Sequence, residues 1–144
     1  MHNLAREMMT GVKIPFVHIA DATAQTIKSK GLRNPGLMAT AFTMEQSFYT
    51  DRLIASGLSP MIPNETDRAE THRIIYEELC KDVTTAQSTA AYVAIANRLA
   101  ASGADSLILG CTEVGMLLNQ GNVGMPVFDT TLIHCKVVLD YALE

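Results

Sequence analysis

The sequence contains little charge and no excess of basic residues. Charged residues make up 18% of its 144 residues, and the formal net charge is -4 at pH 7. Nucleic-acid-binding proteins usually present a basic surface to the phosphate backbone, so this composition argues against a nucleic-acid partner. Apolar residues make up 48%, which is enough for a full core in one domain, or in one domain and part of another.

A long apolar run is also missing. No stretch approaches the ~18 consecutive apolar residues that a membrane-spanning helix requires. The first residues, MHNLAREMMTG, contain no apolar signal core. We therefore expect a cytoplasmic protein with no membrane partner.

Cysteine is scarce, and the chain contains three: Cys80, Cys111 and Cys135. Their odd number and wide spacing exclude a disulfide framework and a CxxC zinc knuckle. In a reducing compartment they are expected to be free thiols. Cys80 ends an apolar helical pattern, so we predict that it is buried.

Short β-rich runs alternate with longer helical patterns along the chain. Strands are predicted at 14–19, 36–40, 58–62, 106–109 and 127–128. Helices are predicted at 3–10, 21–31 with Asp21 as N-cap, 43–56, 67–81, 86–101, 113–119 and 130–142. This repeated order predicts an α/β fold with a Rossmann-like parallel sheet and helices on both faces.

Polar residues follow several predicted strands. Ligands of parallel sheets bind at the carboxyl ends of the strands, so these residues indicate one edge of the sheet as the site. They are His18, Asp21, Thr40, Thr43, Cys111, Thr112, Glu113, Asp129, Thr130 and Thr131.

Cys111 stands between a predicted buried strand and a predicted helix start. The N–H groups and dipole of a helix N-terminus favour an anion, which predicts a lowered thiol pKa and a place for a carboxylate. Gly110 before it allows a ligand close to the backbone. This pattern is typical of a nucleophile or base, but also of a buried structural cysteine, and the pattern alone does not decide.

Other candidates have simpler interpretations. His18 is expected to be a buried, hydrogen-bonded histidine, and His134 and Cys135 are adjacent on a helix and face different sides, so no metal site is predicted. Lys81 is either a solvated helix end or a charge-assisted contact to a substrate side-chain carboxylate.

The segment GCTEVGMLL at 110–118 resembles the second cysteine motif of the aspartate/glutamate racemase family. Further similar blocks follow the family's order: IPFVHIADATA at 14–24, FTMEQSFYTDRL at 42–53, HRIIYEEL at 72–79, SGADSLILGCTE at 102–113 and MPVFDTTLIH at 125–134. The HIADAT and FTME blocks are most similar to the aspartate racemase and broad-specificity amino-acid racemase branch. They argue against a hydantoin racemase, a maleate isomerase or a decarboxylase of the wider superfamily.

The resemblance implies inversion of aspartate or glutamate without pyridoxal phosphate or any other cofactor. One thiolate removes the α-proton and a second thiol protonates the opposite face. Cys111 would be one of these bases, and Glu113 would orient it or the substrate ammonium. The contacts to carboxylates would come from Thr40, Thr43 and Thr112, with Lys81 as a further candidate. The partner is a small acidic amino acid, and a homodimer is one possible assembly.

The resemblance also implies two α/β domains with the site between them. Residues 1–31 would belong to the first domain, residues 32–128 would form the second domain with the GCTE motif, and residues 129–144 would return to the first as a closing helix. Met1-His2 resembles the end of the segment that follows the family's first catalytic residue, so we expect that residue and the strands before it to be missing. The alternative is a catalytically impaired fragment, or a non-catalytic remnant that binds an acidic ligand.

Overall fold

The computed structural model describes Met9 and residues 14–143. In this part of the chain, three parallel strands form a sheet in the order β1 (Pro35–Met38), β2 (Ser106–Leu109) and β3 (Val127–Asp129). The helices are α1 (Ile19–Ser29), α2 (Ala41–Glu45), α3 (Ser47–Ala55), α4 (Glu65–Glu77), α5 (Ala86–Ala101) and α6 (Thr130–Leu143). Two 3₁₀ turns cover Leu79–Lys81 and Thr112–Met116. The predicted α/β fold class is confirmed.

The sheet separates two hydrophobic cores because successive side chains of a strand point to opposite faces. Leu37, Ile108 and Phe128 pack on one face with α1 and α3. Met38 and Leu109 pack on the other face with α4 and α5. The helices therefore cover both faces of the sheet, as the β-then-α order predicts.

The predicted strand at 14–19 is wrong. Residues 14–18 form no strand, and α1 begins at Ile19. His18 is the N-cap of α1 in place of Asp21, and its Nδ1 accepts a hydrogen bond from Ala20 N–H at 3.1 Å. A short apolar run does not by itself distinguish a strand from a buried segment of another kind. The predicted helix at 3–10 lies outside the described residues except for Met9.

Other boundaries differ from the prediction more locally. The helix predicted at 43–56 is two helices, because Gln46 between them has an extended backbone with φ -91° and ψ 140°. The helix predicted at 67–81 ends at Glu77, and the one predicted at 113–119 is a 3₁₀ turn. The weak strand at 58–62 is reduced to one bridge between Gly36 and Met61.

Helix α4 is held at several points. Asn64 caps it by accepting a hydrogen bond from the Asp67 N–H at 3.0 Å. Arg98 of α5 donates two hydrogen bonds of 2.7 Å to the buried carboxylate of Asp67. The Tyr92 hydroxyl, also from α5, donates to the Thr71 carbonyl at 2.8 Å. These bonds fix the position of α4 relative to the rest of its core.

Helix α6 packs against α1 and exposes apolar side chains along its length. The exposed ones include Leu132, Leu139, Tyr141 and Leu143. Among the described residues, no helix is long and apolar enough to cross a membrane. The division of the chain at residues 31/32 and 128/129 stays a prediction.

The pairing of β1 and β2 continues beyond the last residue of β2. The Gly110 N–H donates to the Met38 carbonyl at 2.8 Å, which continues the ladder past β2. A Cβ at Gly110 would lie 2.8 Å from Leu37 Cδ1 and 2.9 Å from Ala39 Cβ. These distances are shorter than carbon atoms tolerate, so glycine is required at this position.

We predict that Gly110→Ala lowers the free energy of unfolding by about 1–3 kcal/mol, because the added methyl overpacks the junction of β1 and β2. Urea denaturation monitored by circular dichroism measures this. Gly124→Ala is the matched control, since a Cβ there meets nothing within 4 Å. Equal stability of the two variants would contradict the steric argument.

Candidate active site

The carboxyl ends of the three strands lie side by side. Met38 is paired with Leu109, and Leu109 with Asp129. Continuing the β1–β2 register by two residues places Thr40 opposite Cys111. The structure thus brings the threonine and cysteine segments predicted as site residues to one edge of the sheet.

Cys111 is a partly buried free thiol with an extended backbone, φ -141° and ψ 142°. Its Sγ donates a hydrogen bond to Glu113 Oε2 at 2.8 Å. The Thr112 hydroxyl donates to the same oxygen at 2.6 Å. The carboxylate of Glu113 therefore lies directly against the thiol and is the strongest charge in contact with it.

The thiol pKa is raised, and the predicted decrease is wrong. Burial, followed by the contact with Glu113, raises the pKa of Cys111 from 9.0 to about 12. The hydrogen bonds from Cys111 and Thr112 lower the pKa of the Glu113 carboxyl. The element after Cys111 is a five-residue 3₁₀ turn, too short to act as the predicted helix terminus, and a carboxylate occupies the space beside the sulfur.

The raised thiol pKa makes the stability of the protein depend on pH. Folding favours the neutral thiol, so the stability that Cys111 contributes is fully present below the unfolded pKa of ~8.5. It is lost as the pH rises towards about 12. At neutral pH the resting form is thus a thiol hydrogen-bonded to a carboxylate.

Thr40 and Thr43 begin the short helix α2 and face each other. Their hydroxyl oxygens are 3.3 Å apart. Thr40 is the N-cap, but its side chain makes no capping hydrogen bond. The N–H of Ala41, the first residue of α2, donates to Nδ1 of His72 in α4 at 3.2 Å.

His72 is the residue of this region that the sequence reasoning missed. It lies 31 positions from its hydrogen-bond partner, so no local pattern predicts the contact. The available signal was the HRIIYEEL block, which begins with His72 and carries part of the family resemblance.

Cys80 and Lys81 lie in the 3₁₀ turn that packs against the turn following Cys111. Leu79 of this turn shares a buried cluster with Val114. Cys80 is exposed, so its predicted burial is wrong, and it is close enough for its charge to raise the pKa of Cys111. Lys81 is also exposed at this rim.

The remaining polar residues of the strand ends have structural partners. Asp129 Oδ1 accepts from the Thr131 and Leu132 N–H groups and caps α6. The buried Thr130 hydroxyl donates to the Leu109 carbonyl at 2.8 Å. Asp21 pairs with Arg52 at 2.6 Å on the surface.

Among the described residues, neither a metal centre nor the groove between α4 and α5 forms part of this site. No cluster of histidine, cysteine or acidic residues that could hold a metal ion occurs in the part of the chain that the structure describes. A groove of about 910 Å³ lies between α4 and α5, but its lining does not include Cys111. Four of its charged residues form the pairs Asp67–Arg98 and Glu70–Arg73.

Comparison with known proteins gives the relatives of this chain. The sequence profile of the Asp/Glu/hydantoin racemase family matches residues 1–138. An uncharacterized protein from the pnlA 3' region of Pectobacterium carotovorum subsp. carotovorum is 32% identical over 105 residues, which cover 73% of this chain and 69% of that protein.

Two solved structures are similar over nearly all of this chain. A candidate Asp/Glu racemase from Yersinia pestis is 43% identical with a TM-score of 0.97, and the match covers 100% of this chain. An aspartate racemase homologue from Pyrococcus horikoshii OT3 is 33% identical with a TM-score of 0.91, over 99% of this chain. This chain spans 63% of the length of each of them.

We predict that iodoacetamide alkylates Cys111 at least about tenfold more slowly than Cys80 or Cys135 at pH 7, because the neutral thiol is a poor nucleophile and the other two are exposed. The rate at Cys111 should still be rising at pH 9.5, since its pKa is about 12. Peptide mass spectrometry after timed alkylation measures the three rates.

The same assay tests the cause. Glu113→Gln removes the charge but keeps an acceptor, so it should accelerate alkylation of Cys111 by about three- to tenfold. Glu65→Gln, at an exposed position of α4, is the control and should change nothing. Fast labelling of Cys111 in the unaltered protein would contradict the raised pKa.

Proposed function

Because this chain belongs to the Asp/Glu/hydantoin racemase family, we propose that it inverts the α-carbon of aspartate or glutamate by proton transfer, with Cys111 as one of two acid–base groups and without pyridoxal phosphate. The observation that carries this proposal is the Cys111–Glu113 hydrogen bond at the carboxyl edge of the sheet. It joins a thiol to a group that can take its proton.

The resting thiol suits both directions of the reaction. As a neutral thiol, Cys111 donates its proton to a carbanion at the α-carbon. As a base, it first transfers the proton to the Glu113 carboxylate, 2.8 Å away, and the resulting thiolate removes the α-proton. A substrate ammonium near this pair favours the thiolate, because an adjacent positive charge lowers a thiol pKa.

The polar groups around Cys111 match an acidic amino acid. The hydroxyls of Thr40 and Thr43 bind the α-carboxylate as donors, and the Thr112 hydroxyl joins them by turning its proton from Glu113 to the substrate. Lys81, exposed at the rim beside Cys111, binds the side-chain carboxylate. Glu113 attracts the ammonium group, so each charge of the substrate has an opposite charge or a donor to meet.

Inversion also requires an acid on the opposite face of the substrate, and we assign none of the described residues to that role. The activity of the whole protein is part of the proposal, since this chain spans 63% of the solved relatives. The raised thiol pKa favours a second candidate, a non-catalytic or catalytically impaired protein that binds an acidic amino acid. The experiments below separate the two.

We predict that the protein exchanges the α-proton of aspartate or glutamate with solvent, and that Cys111→Ala reduces the rate by a factor of about 10²–10⁴, the usual contribution of a general base. Proton NMR of the D- and L-amino acids in deuterium oxide follows exchange at the α-carbon. Circular dichroism of the same samples follows inversion.

Cys135→Ala is the control, because this exposed thiol lies on α6, away from the site. Exchange without inversion would mean that Cys111 serves one face alone. Binding without exchange would support the non-catalytic candidate, and neither binding nor exchange would contradict the proposal.

We predict that Lys81→Met weakens binding of aspartate by about tenfold but leaves binding of alanine unchanged, because alanine has no side-chain carboxylate. Thr112→Val should weaken both ligands. Isothermal titration calorimetry measures the affinities, and Lys28→Met on α1 is the charge-matched control. Equal losses for both ligands in Lys81→Met would remove Lys81 from substrate recognition.

A further inference from the structure

His72 connects helix α4 to the turn that carries two of the proposed substrate contacts. Its Nδ1 accepts the Ala41 N–H at 3.2 Å, and Ala41 is the first residue of α2. An acceptor at Nδ1 requires the lone pair of that nitrogen, so in this geometry the ring is neutral and carries its proton on Nε2.

The ring is itself held in place. His72 packs against Tyr76 one helical turn later, with ring centroids 4.6 Å apart. The preceding residue, Thr71, accepts the Tyr92 hydroxyl through its carbonyl. Helix α4 therefore presents His72 from a rigid position.

The Thr40 side chain does not cap the helix that follows it. An N-cap threonine ordinarily accepts a hydrogen bond from an N–H of the first helical turn. Thr40 makes no such bond. Since His72 binds Ala41 N–H and the Thr40 carbonyl accepts from Thr43 and Met44 N–H at 3.0 Å, the turn keeps its shape without the Thr40 hydroxyl.

We infer that His72 is a positioning residue: it holds the α2 turn so that the Thr40 and Thr43 hydroxyls remain available to a substrate carboxylate beside Cys111. The inference rests on the proposed function for the identity of the ligand. The contact itself does not depend on it. Register supports the arrangement, because the β1–β2 pairing ends at Met38 and Leu109 and, continued by two residues, leads to Thr40 and Cys111.

Two substitutions distinguish the contribution of the His72 hydrogen-bond acceptor from that of its aromatic ring. His72→Phe keeps an aromatic ring against Tyr76 but has no acceptor. His72→Asn loses the ring but places an amide oxygen near the position of Nδ1. Tyr76→Leu is the packing control, since it removes the ring contact and leaves His72 its acceptor.

In His72→Phe we expect KM or the dissociation constant for aspartate to rise about tenfold, as for the loss of one hydrogen bond, while kcat changes less than twofold. His72→Asn should restore most of the affinity, and Tyr76→Leu should keep it even if its melting temperature falls. Equal affinity of His72→Phe and the unaltered protein, or equal losses in the Phe and Asn variants, would overturn the inference.

A second readout needs no ligand. The backbone amide resonances of Ala41 and Thr43 should shift in His72→Phe and return towards their original positions in His72→Asn, as seen in ¹H–¹⁵N spectra. If the unaltered protein neither binds nor exchanges aspartate, the proposed function fails, but these shifts still report whether His72 holds the turn. Unshifted amide resonances of Ala41 and Thr43 in His72→Phe would overturn the inference that His72 holds the turn.

Discussion

The close approach of β1 and β2 at Gly110 is the constraint on which the site depends. The Gly110 N–H continues the ladder to the Met38 carbonyl, and no side chain separates the two strands at that point. Continued by two residues beyond Met38 and Leu109, this register leads to Thr40 and Cys111. A wider separation would move the threonine hydroxyls away from the sulfur, whatever the identity of the residues.

The second requirement is that α4 keeps its place, and this depends on charge as well as packing. The Asp67 carboxylate is buried and receives two hydrogen bonds from Arg98. Removing one partner of such a pair leaves an uncompensated buried charge. The position of α4 therefore depends on Asp67 and Arg98, although both residues lie far from the thiol. The line of contacts runs from Arg98 through α4 to His72 and then to the α2 turn.

The sequence predicts the parts of this molecule that local patterns control. Helix α5 and strand β2 have the predicted bounds, because their apolar patterns end at clear signals such as Gly103 and Gly110. The run at 14–19 has the same apolar character, but it leads into α1 and pairs with none of the strands among the described residues. Sheet pairing is a tertiary property, and composition does not reveal it for so short a run.

The meeting of the Thr40 and Cys111 segments at one edge of the sheet follows from the sequence, since parallel strands end together, but the electrostatics of that edge do not. That this edge is the active site stays a prediction. The thiol pKa was predicted with the wrong sign because burial of the sulfur raises it, and because the rotamer of Glu113 brings a carboxylate to 2.8 Å from the sulfur. The contact of His72 with Ala41 depends on the packing of α4, which also lies beyond local pattern.

The hydrogen bond between Cys111 and Glu113 also bears on oxidative damage. Peroxides attack thiolates far faster than neutral thiols, and the resulting sulfenic acid can proceed to irreversible forms. A site that keeps its sulfur protonated at rest is protected from that route, whereas the exposed Cys80 and Cys135 lack this shielding. The carboxylate that accepts this hydrogen bond thus also preserves the sulfur in the resting protein.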